Sequence, residues 1–314
     1  MPVAAKDKKT VGKKTIYEKR GPIAYLTINW PEKANVMDDV VIEEMGKAYK
    51  NFWHDRRMRC LILTGAGNRH FSGGHFIQPP PKGFTDDDVR QERVSQFVWP
   101  PSGSTNGRKP SVDPRSGHDF PQLYKPVVAA VNGWAAGAGL YTLLTTTDIR
   151  IACADHARFY FALLSNLGGI GSGPTAARIL KQLLPVHAHK FLLMDEPIDA
   201  DEAVRIGLVN EAVPHDQLMA RCEQIADRVA SLPPIAVRFL KEFLIRGVDM
   251  PMDQAWHLQW VFDHLVTQHS TDADDGSQAF LEKRSRVVAG DVRGSRNRKH
   301  SKLVDGYLPY DRFG

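Results

Sequence analysis

Apolar and polar residues alternate through TIYEKRGPIAYLTIN (15–29), interrupted by Gly21-Pro22. That period of two predicts two strands joined by a turn. In DVVIEEMGKAYKNFWHD (39–55), Val40, Ile42, Met45, Ala48 and Phe52 fall near one helical face, which predicts an amphipathic helix. RCLILTG (59–65) is a short apolar run ending in the turn GAGN, and PVVAAV (126–131) is another. Both read as buried strands. DIRIACA (148–154), ARFYFA (157–162) and LVNEAV (208–213) predict further strands, and TAARILKQLL and IDADEAVRIG predict helices between them. From His215 onward the pattern is helical: DQLMARCEQIADRVASL, PIAVRFLKEFLIRG, MDQAWHLQWVFDHLVTQ and SQAFLEKR. The order is α/β, then an all-helical C-terminal part.

Residues 77–125 break this rhythm. They are rich in Pro, Gly and Ser around one polar helix candidate (85–97), and a loop of this length reads as a lid or a disordered insert. Charge adds little. The formal net charge is +5, but residues 1–20 hold seven Lys/Arg against two acids and residues 284–314 hold eight against three. The body is therefore acidic, the basic ends read as solvated tails, and nucleic acid is not an expected partner. Three scattered cysteines (Cys60, Cys153, Cys222) lack metal spacing and read as a reducing, cytoplasmic compartment. The N-terminus has no apolar core for a signal peptide. Residues 127–144 are almost uncharged, but their glycines favour a strand, a turn and a buried helix over a membrane span.

The chemistry lies in two stretches of one design. LTGAGNRHFSGGHF (63–76) and VNGWAAGAGLY (131–141) each run from a strand through a turn into small residues. Small residues let a ligand approach the main chain. A helix start leaves N–H groups unpaired and partly positive. Together two such stretches can present two backbone donors to one oxygen, as an oxyanion hole does.

These stretches, with GPIAYLTINWPEKANVM, KPVVAAVNGWAAGAGL, DIRIA, DADEAVRIGLVNEAVP and FLEKR, resemble the crotonase (enoyl-CoA hydratase/isomerase) superfamily from about Tyr17 to about Gly290. The resemblance implies an α/β crotonase-like ββα spiral with a C-terminal helical oligomerisation region. It divides the chain into a tail (1–14), a core (15–214) carrying the insert 77–125, a helical region (215–290) and a second tail (291–314). It implies an acyl-CoA substrate, with coenzyme A arriving as part of it and no other cofactor, and a homotrimer or dimer of trimers. It places the two donor N–H groups at His75 and Ala138, beside Gly74 and Gly137. Lys33, Ala34 and Asn35 match the loop that lines CoA, and Lys283 matches a residue reaching its phosphates.

Family hydratases use two glutamates, and the matching positions here are Tyr141 and Leu163. Decarboxylation, C–C cleavage or isomerisation is therefore expected ahead of simple hydration. His75, Tyr141, Ser165 and Asn166 remain as polar candidates at the gap. The alternatives are a silent acyl-CoA-binding homologue, or a hydratase drawing Asp113 or Asp119 from the insert, where His118 also lies. No metal site is expected: His187 and His189 read as helix surface, and Ser72 is not in a nucleophile elbow. The glycines of GGIGSG lack the strand and the acid of a dinucleotide site.

Overall fold

The alternating segment forms the antiparallel strands β2 (Thr15–Arg20) and β3 (Ile23–Ile28), joined at Gly21 and Pro22. The computed structural model describes residues 8–77, 83, 85–87, 123–171, 174–285, 288 and 290. The insert, with its expected helix (85–97) and His118, Asp113 and Asp119, lies almost wholly outside them, as does the tail 291–314. One expectation is corrected at the N-terminus. Lys8–Val11, assigned to a basic tail, is strand β1, paired antiparallel to β2 at the sheet edge. Edge strands accommodate lysines readily, so a basic segment can take that place.

Beyond β3 the large sheet is parallel through β4 (Cys60–Gly65), β6 (Val127–Val131), β8 (Ile149–Cys153) and β11 (Glu211–Val213). Its order is β1-β2-β3-β4-β6-β8-β11. All of β6 is buried, as expected for a parallel strand covered on both faces. A smaller sheet has the order β10 (Ile198–Asp199), β9 (Arg158–Tyr160), β7 (Trp134–Ala136), β5 (His70–Ser72). The successive pairs β6–β7 and β8–β9 each give one strand to each sheet and are followed by a helix. This is the ββα spiral, and it fixes where strand ends and helix starts meet.

Helix α1 (Asp39–His54) buries Val41, Met45, Ala48, Tyr49, Phe52 and Trp53. Val40 and Ile42 are only half-buried, so the face is rotated from the expected one, because the row Val41-Met45-Tyr49-Trp53 carries the larger aromatic area. Asp38 caps it, accepting the Val41 N–H at 3.0 Å, a contact worth about 1 kcal/mol. Next come α2 (Ala138–Thr146), α3 (Leu164–Leu167), α4 (Thr175–Gln182), α5 (Pro185–Met194) and α6 (Ala200–Arg205). The C-terminal helices are α7 (His215–Ala230), α8 (Pro234–Gly247), α9 (Met252–His269) and α10 (Thr271–Leu281). Helix α10 starts earlier than its apolar pattern suggests, because Ser270 caps the acidic first turn. The aromatic helix α9 is no core element: Trp256 and Trp260 are 70% and 54% exposed. No helix among the described residues is long and apolar enough to cross a membrane.

Candidate functional site

Strand β5 and the start of α2 meet at the glycines. Gly74 has φ +103, a conformation in which an L side chain is strained. A Cβ there would stand 2.9 Å from the Ala136 carbonyl oxygen and 3.1 Å from the Ala138 nitrogen. A Cβ on Gly139 would stand 2.2 Å from the Ser72 carbonyl oxygen. The bare side chains are what allow the two main chains to touch.

The peptide groups are oriented by a parallel bridge between Met37 and His75. Met37 donates to the Gly74 carbonyl (2.7 Å), and Phe76 donates to the Met37 carbonyl (3.0 Å). In such a bridge the middle residue's own N–H points to the opposite side. The His75 N–H is thus turned away from Met37. Across the gap, Gly137 (φ +51) donates to the Tyr160 carbonyl at 3.1 Å, and Tyr141 closes the first helical turn on Gly137. Ala138 therefore begins the helix without an intrahelical acceptor for its N–H. Tyr141 sits one turn further on the same face and is buried.

Two asparagines brace the turn that delivers β5. Asn35 accepts the Trp30 N–H (2.9 Å) and donates to the carbonyls of Ala66 (3.0 Å) and His70 (2.7 Å). Asn132 accepts the Gly65 N–H (3.1 Å) and donates to Gly67 (2.8 Å) and His70 (3.1 Å). The Asn35 side chain is fully buried in this role, so in the loop 33–35 it is a clasp. Ala34 and Asn35 have positive φ, and the Ala34 carbonyl accepts the Gly73 N–H at 2.8 Å, which holds this loop against the glycine pair. Lys33 is exposed beside it. His70 is pushed below the ordinary histidine value by burial and then by Arg69, which favours its neutral form. Lys283 stands exposed just beyond α10, on the helical region.

Near Leu163, the structure adds a residue that no local sequence pattern singles out. Asp195, at the left-handed C-terminus of α5, is buried under loop 162–165. Its carboxylate accepts the N–H groups of Ala162 (2.6 Å) and Ser165 (2.7 Å) and the Ser165 hydroxyl (2.8 Å). The Ser165 hydroxyl also lies 2.7 Å from the Tyr160 hydroxyl, to which Asn166 donates at 3.4 Å. Ser165 and Asn166 were legible candidates; Tyr160 and Asp195 were not. Asp195 is 30 residues from Ser165, and no local pattern links them. Asp148, the acid nearest to Tyr141 in sequence, is structural: it accepts the Val127 N–H (2.7 Å) and pairs with Lys241 (2.7 Å).

Comparison with known proteins supports the family and the fold. The family model described as enoyl-CoA hydratase/isomerase matches residues 18–96 and 118–290. A carnitinyl-CoA dehydratase of Citrobacter koseri is 31% identical over 282 residues, covering 87% of this chain and 97% of that protein. The Salmonella enteritidis carnitinyl-CoA dehydratase is likewise 31% identical, over 280 residues, with the same coverage. Among solved structures, an enoyl-CoA hydratase/isomerase from Mycobacterium paratuberculosis superposes with a TM-score of 0.71 at 31% identity, covering 89% of this chain and all of that one. An enoyl-CoA hydratase from Bacillus anthracis gives 0.71 at 25% identity, with the same coverage.

Proposed function

The chain belongs to the enoyl-CoA hydratase/isomerase family of CoA-thioester enzymes, and from that premise we propose that it works through a thioester enolate held by the N–H groups of His75 and Ala138. The observation that carries this reading is the contact of the Gly74 backbone with Ala138. A thioester oxygen laid across that gap meets both donors. When a base takes the α-proton, the electron pair moves onto this oxygen, where each donor is worth about 3–4 kcal/mol. The enolate then expels a β-substituent or takes a proton at another carbon; in decarboxylation or C–C cleavage the breaking C–C bond itself supplies the enolate's electron pair, and a proton added at the α-carbon completes the step. No metal or redox group is needed for these steps, and coenzyme A comes with the substrate.

Tyr141 and Leu163 stand where family hydratases carry glutamates, which favours decarboxylation, C–C cleavage or isomerisation. His75 and Tyr141 are the proposed proton carriers, with Gly74 and Gly137 leaving room for the acyl group. Lys33, the Ala34-Asn35 main chain and Lys283 are proposed to meet the CoA moiety. One observation favours a second reading, dehydration or hydration as in the carnitinyl-CoA dehydratases. The Asp195–Ser165–Tyr160 chain brings a buried carboxylate to the loop that otherwise lacks one. It could relay a proton to a β-hydroxyl or water.

Trp256, Trp260, Phe280 and Leu281 on the helical region are large apolar side chains left exposed, of the kind subunits bury. We place there the contact of a homotrimer, or of a dimer of trimers. Three free, buried cysteines suit the reducing cytoplasm.

The test is α-proton exchange from butyryl-CoA in heavy water, followed by turnover of crotonyl-CoA and 3-hydroxybutyryl-CoA. Exchange without turnover of the latter pair supports the enolate reading with a different leaving group. Turnover of both supports the second reading. Binding of butyryl-CoA without exchange would make the chain a silent acyl-CoA binder and overturn both.

A further inference from the structure

The three cysteines are scattered in sequence, but one of them has metal-ligating neighbours in space. Cys153 ends β8, and His156 lies in the following turn. His215 opens α7 directly after β11 and Pro214. Because β11 pairs in parallel with β8, with Val213 opposite Cys153, the two strand ends bring the thiol and the two imidazoles together. One ligand atom from each of Cys153, His156 and His215 lies within 4.8 Å of the others.

The geometry points to a zinc site formed by Cys153, His156 and His215, with Asp155 beside it. In a tetrahedral site, zinc–sulfur and zinc–nitrogen bonds of about 2.3 and 2.05 Å put the sulfur and nitrogen about 3.6 Å apart. Cys153 Sγ and His215 Nδ1 are already 3.6 Å apart. The His156 and His215 rings stand 5.3 Å apart between centroids, so a side-chain rotation of His156 completes the triad. Asp155 Oδ2 lies 4.0 Å from Sγ and is steadied by the His215 N–H at 3.0 Å. It can serve as fourth ligand directly or through water.

The donor set decides the ion. One thiolate and two imidazoles suit zinc and disfavour magnesium or calcium, which take oxygen ligands. On binding, the Cys153 thiol proton passes to solvent and its sulfur lone pair to the metal, with both imidazoles neutral. The resulting thiolate and the Asp155 carboxylate balance the dication. Against it stand Arg69 and Arg158, which line the adjoining cleft of about 330 Å³ with His156 and Asp155; one Arg158 N–H is held by the Ala157 carbonyl at 2.7 Å. His156 is half-buried and His215 exposed, which gives the ion a way in.

This site is separate from the glycine gap. It adjoins the beginnings of β7 and β9, where Trp134 faces Arg158, whereas the gap adjoins their ends, where Ala136 faces Tyr160. Its role is structural: it ties the end of β8 to the start of α7.

Full-length protein is stripped with chelator and titrated with Zn(II), and with Co(II) as a spectroscopic stand-in. One ion per chain is expected. The Co(II) form should show a thiolate-to-metal charge-transfer band that zinc abolishes. Cys153→Ala and His215→Ala should each lose the band. His215 is exposed, so its variant tests the site even if Cys153→Ala folds poorly. The His187→Ala/His189→Ala pair should keep it. Absence of the band in the unmodified protein overturns the assignment. So does its survival in either of the first two variants, or its loss in the control.

Discussion

Gly139→Ala tests whether the contact between β5 and α2 sets the geometry of the gap. In an ordinary helix this change adds up to about 1 kcal/mol of stability. Here the new methyl would stand 2.2 Å from the Ser72 carbonyl oxygen, and ordinary contact begins at 3.4 Å. The shortfall between those two values, about 1.2 Å, must be met by main-chain movement, since both the obstacle and the helix start are backbone. Ser72 is two residues before Gly74, and Ala138 is the residue before Gly139. The shift therefore separates the two donors themselves. A misplacement of about 1 Å at a reacting centre costs about 100-fold in rate, or about 2.7 kcal/mol. The assay is α-proton exchange from butyryl-CoA in heavy water, with thermal unfolding of the same samples. Exchange should fall about 100-fold in a protein that still unfolds cooperatively. An exchange rate within about twofold of the unmodified protein, with an unchanged or raised Tm, would refute the claim that this contact holds the gap.

Other outcomes follow from the same structure. Asn35→Ala removes the donor to the half-buried Ala66 carbonyl and the acceptor for the Trp30 N–H, and leaves the His70 carbonyl to Asn132 alone; it should cost about 1–3 kcal/mol in urea denaturation. Ser165→Ala and Tyr160→Phe remove surface hydroxyls; if these relay a proton, kcat should fall about 100-fold or more with Tm unchanged, and equal kcat would remove them from the chemistry. Asp55 is held well below the usual carboxylate range: burial opposes this, but hydrogen bonds from Arg57 and Lys19 outweigh it. A depressed folded value gives stability that is full above the unfolded value and lost as pH falls towards the folded one. The Tm advantage over Asp55→Asn should therefore be constant from neutrality to about pH 5 and shrink below 3.8. Trp260→Glu puts a charge on the exposed apolar face of α9 and should lower the mass measured by light scattering to that of a single chain; an unchanged mass would move the subunit contact elsewhere.

Much of the fold was legible because burial leaves a periodic trace. The two alternating strands, the apolar runs that became β4 and β6, and the helices after His215 all follow from spacing. The glycine stretches were legible for a related reason: a main chain that must be approached closely has to shed its side chains, and Gly74, Gly137 and Gly139 do so locally. In α1, Met45, Ala48 and Phe52 are buried as read, but at its start Val41 is buried and Val40 and Ile42 only half-buried, because all three are apolar and only the partner surface chooses among them. The strand at Lys8–Val11 was hidden because its stability comes from pairing with β2.

By itself, the sequence determined the spiral, the two glycine stretches and the family to which they point. The resemblance it carries led to the expectation that Tyr141 and Leu163 match the two glutamate positions of family hydratases. Only the tertiary structure decided that Asn35 clasps a turn, that Asp195 comes under Ser165 and Tyr160, and that Cys153 meets His156 and His215. The physical reason is range. Periodicity and backbone conformation are written within a few neighbouring residues. A hydrogen bond or ligand set between residues tens of positions apart exists only once parallel strands have set their register and brought their ends together.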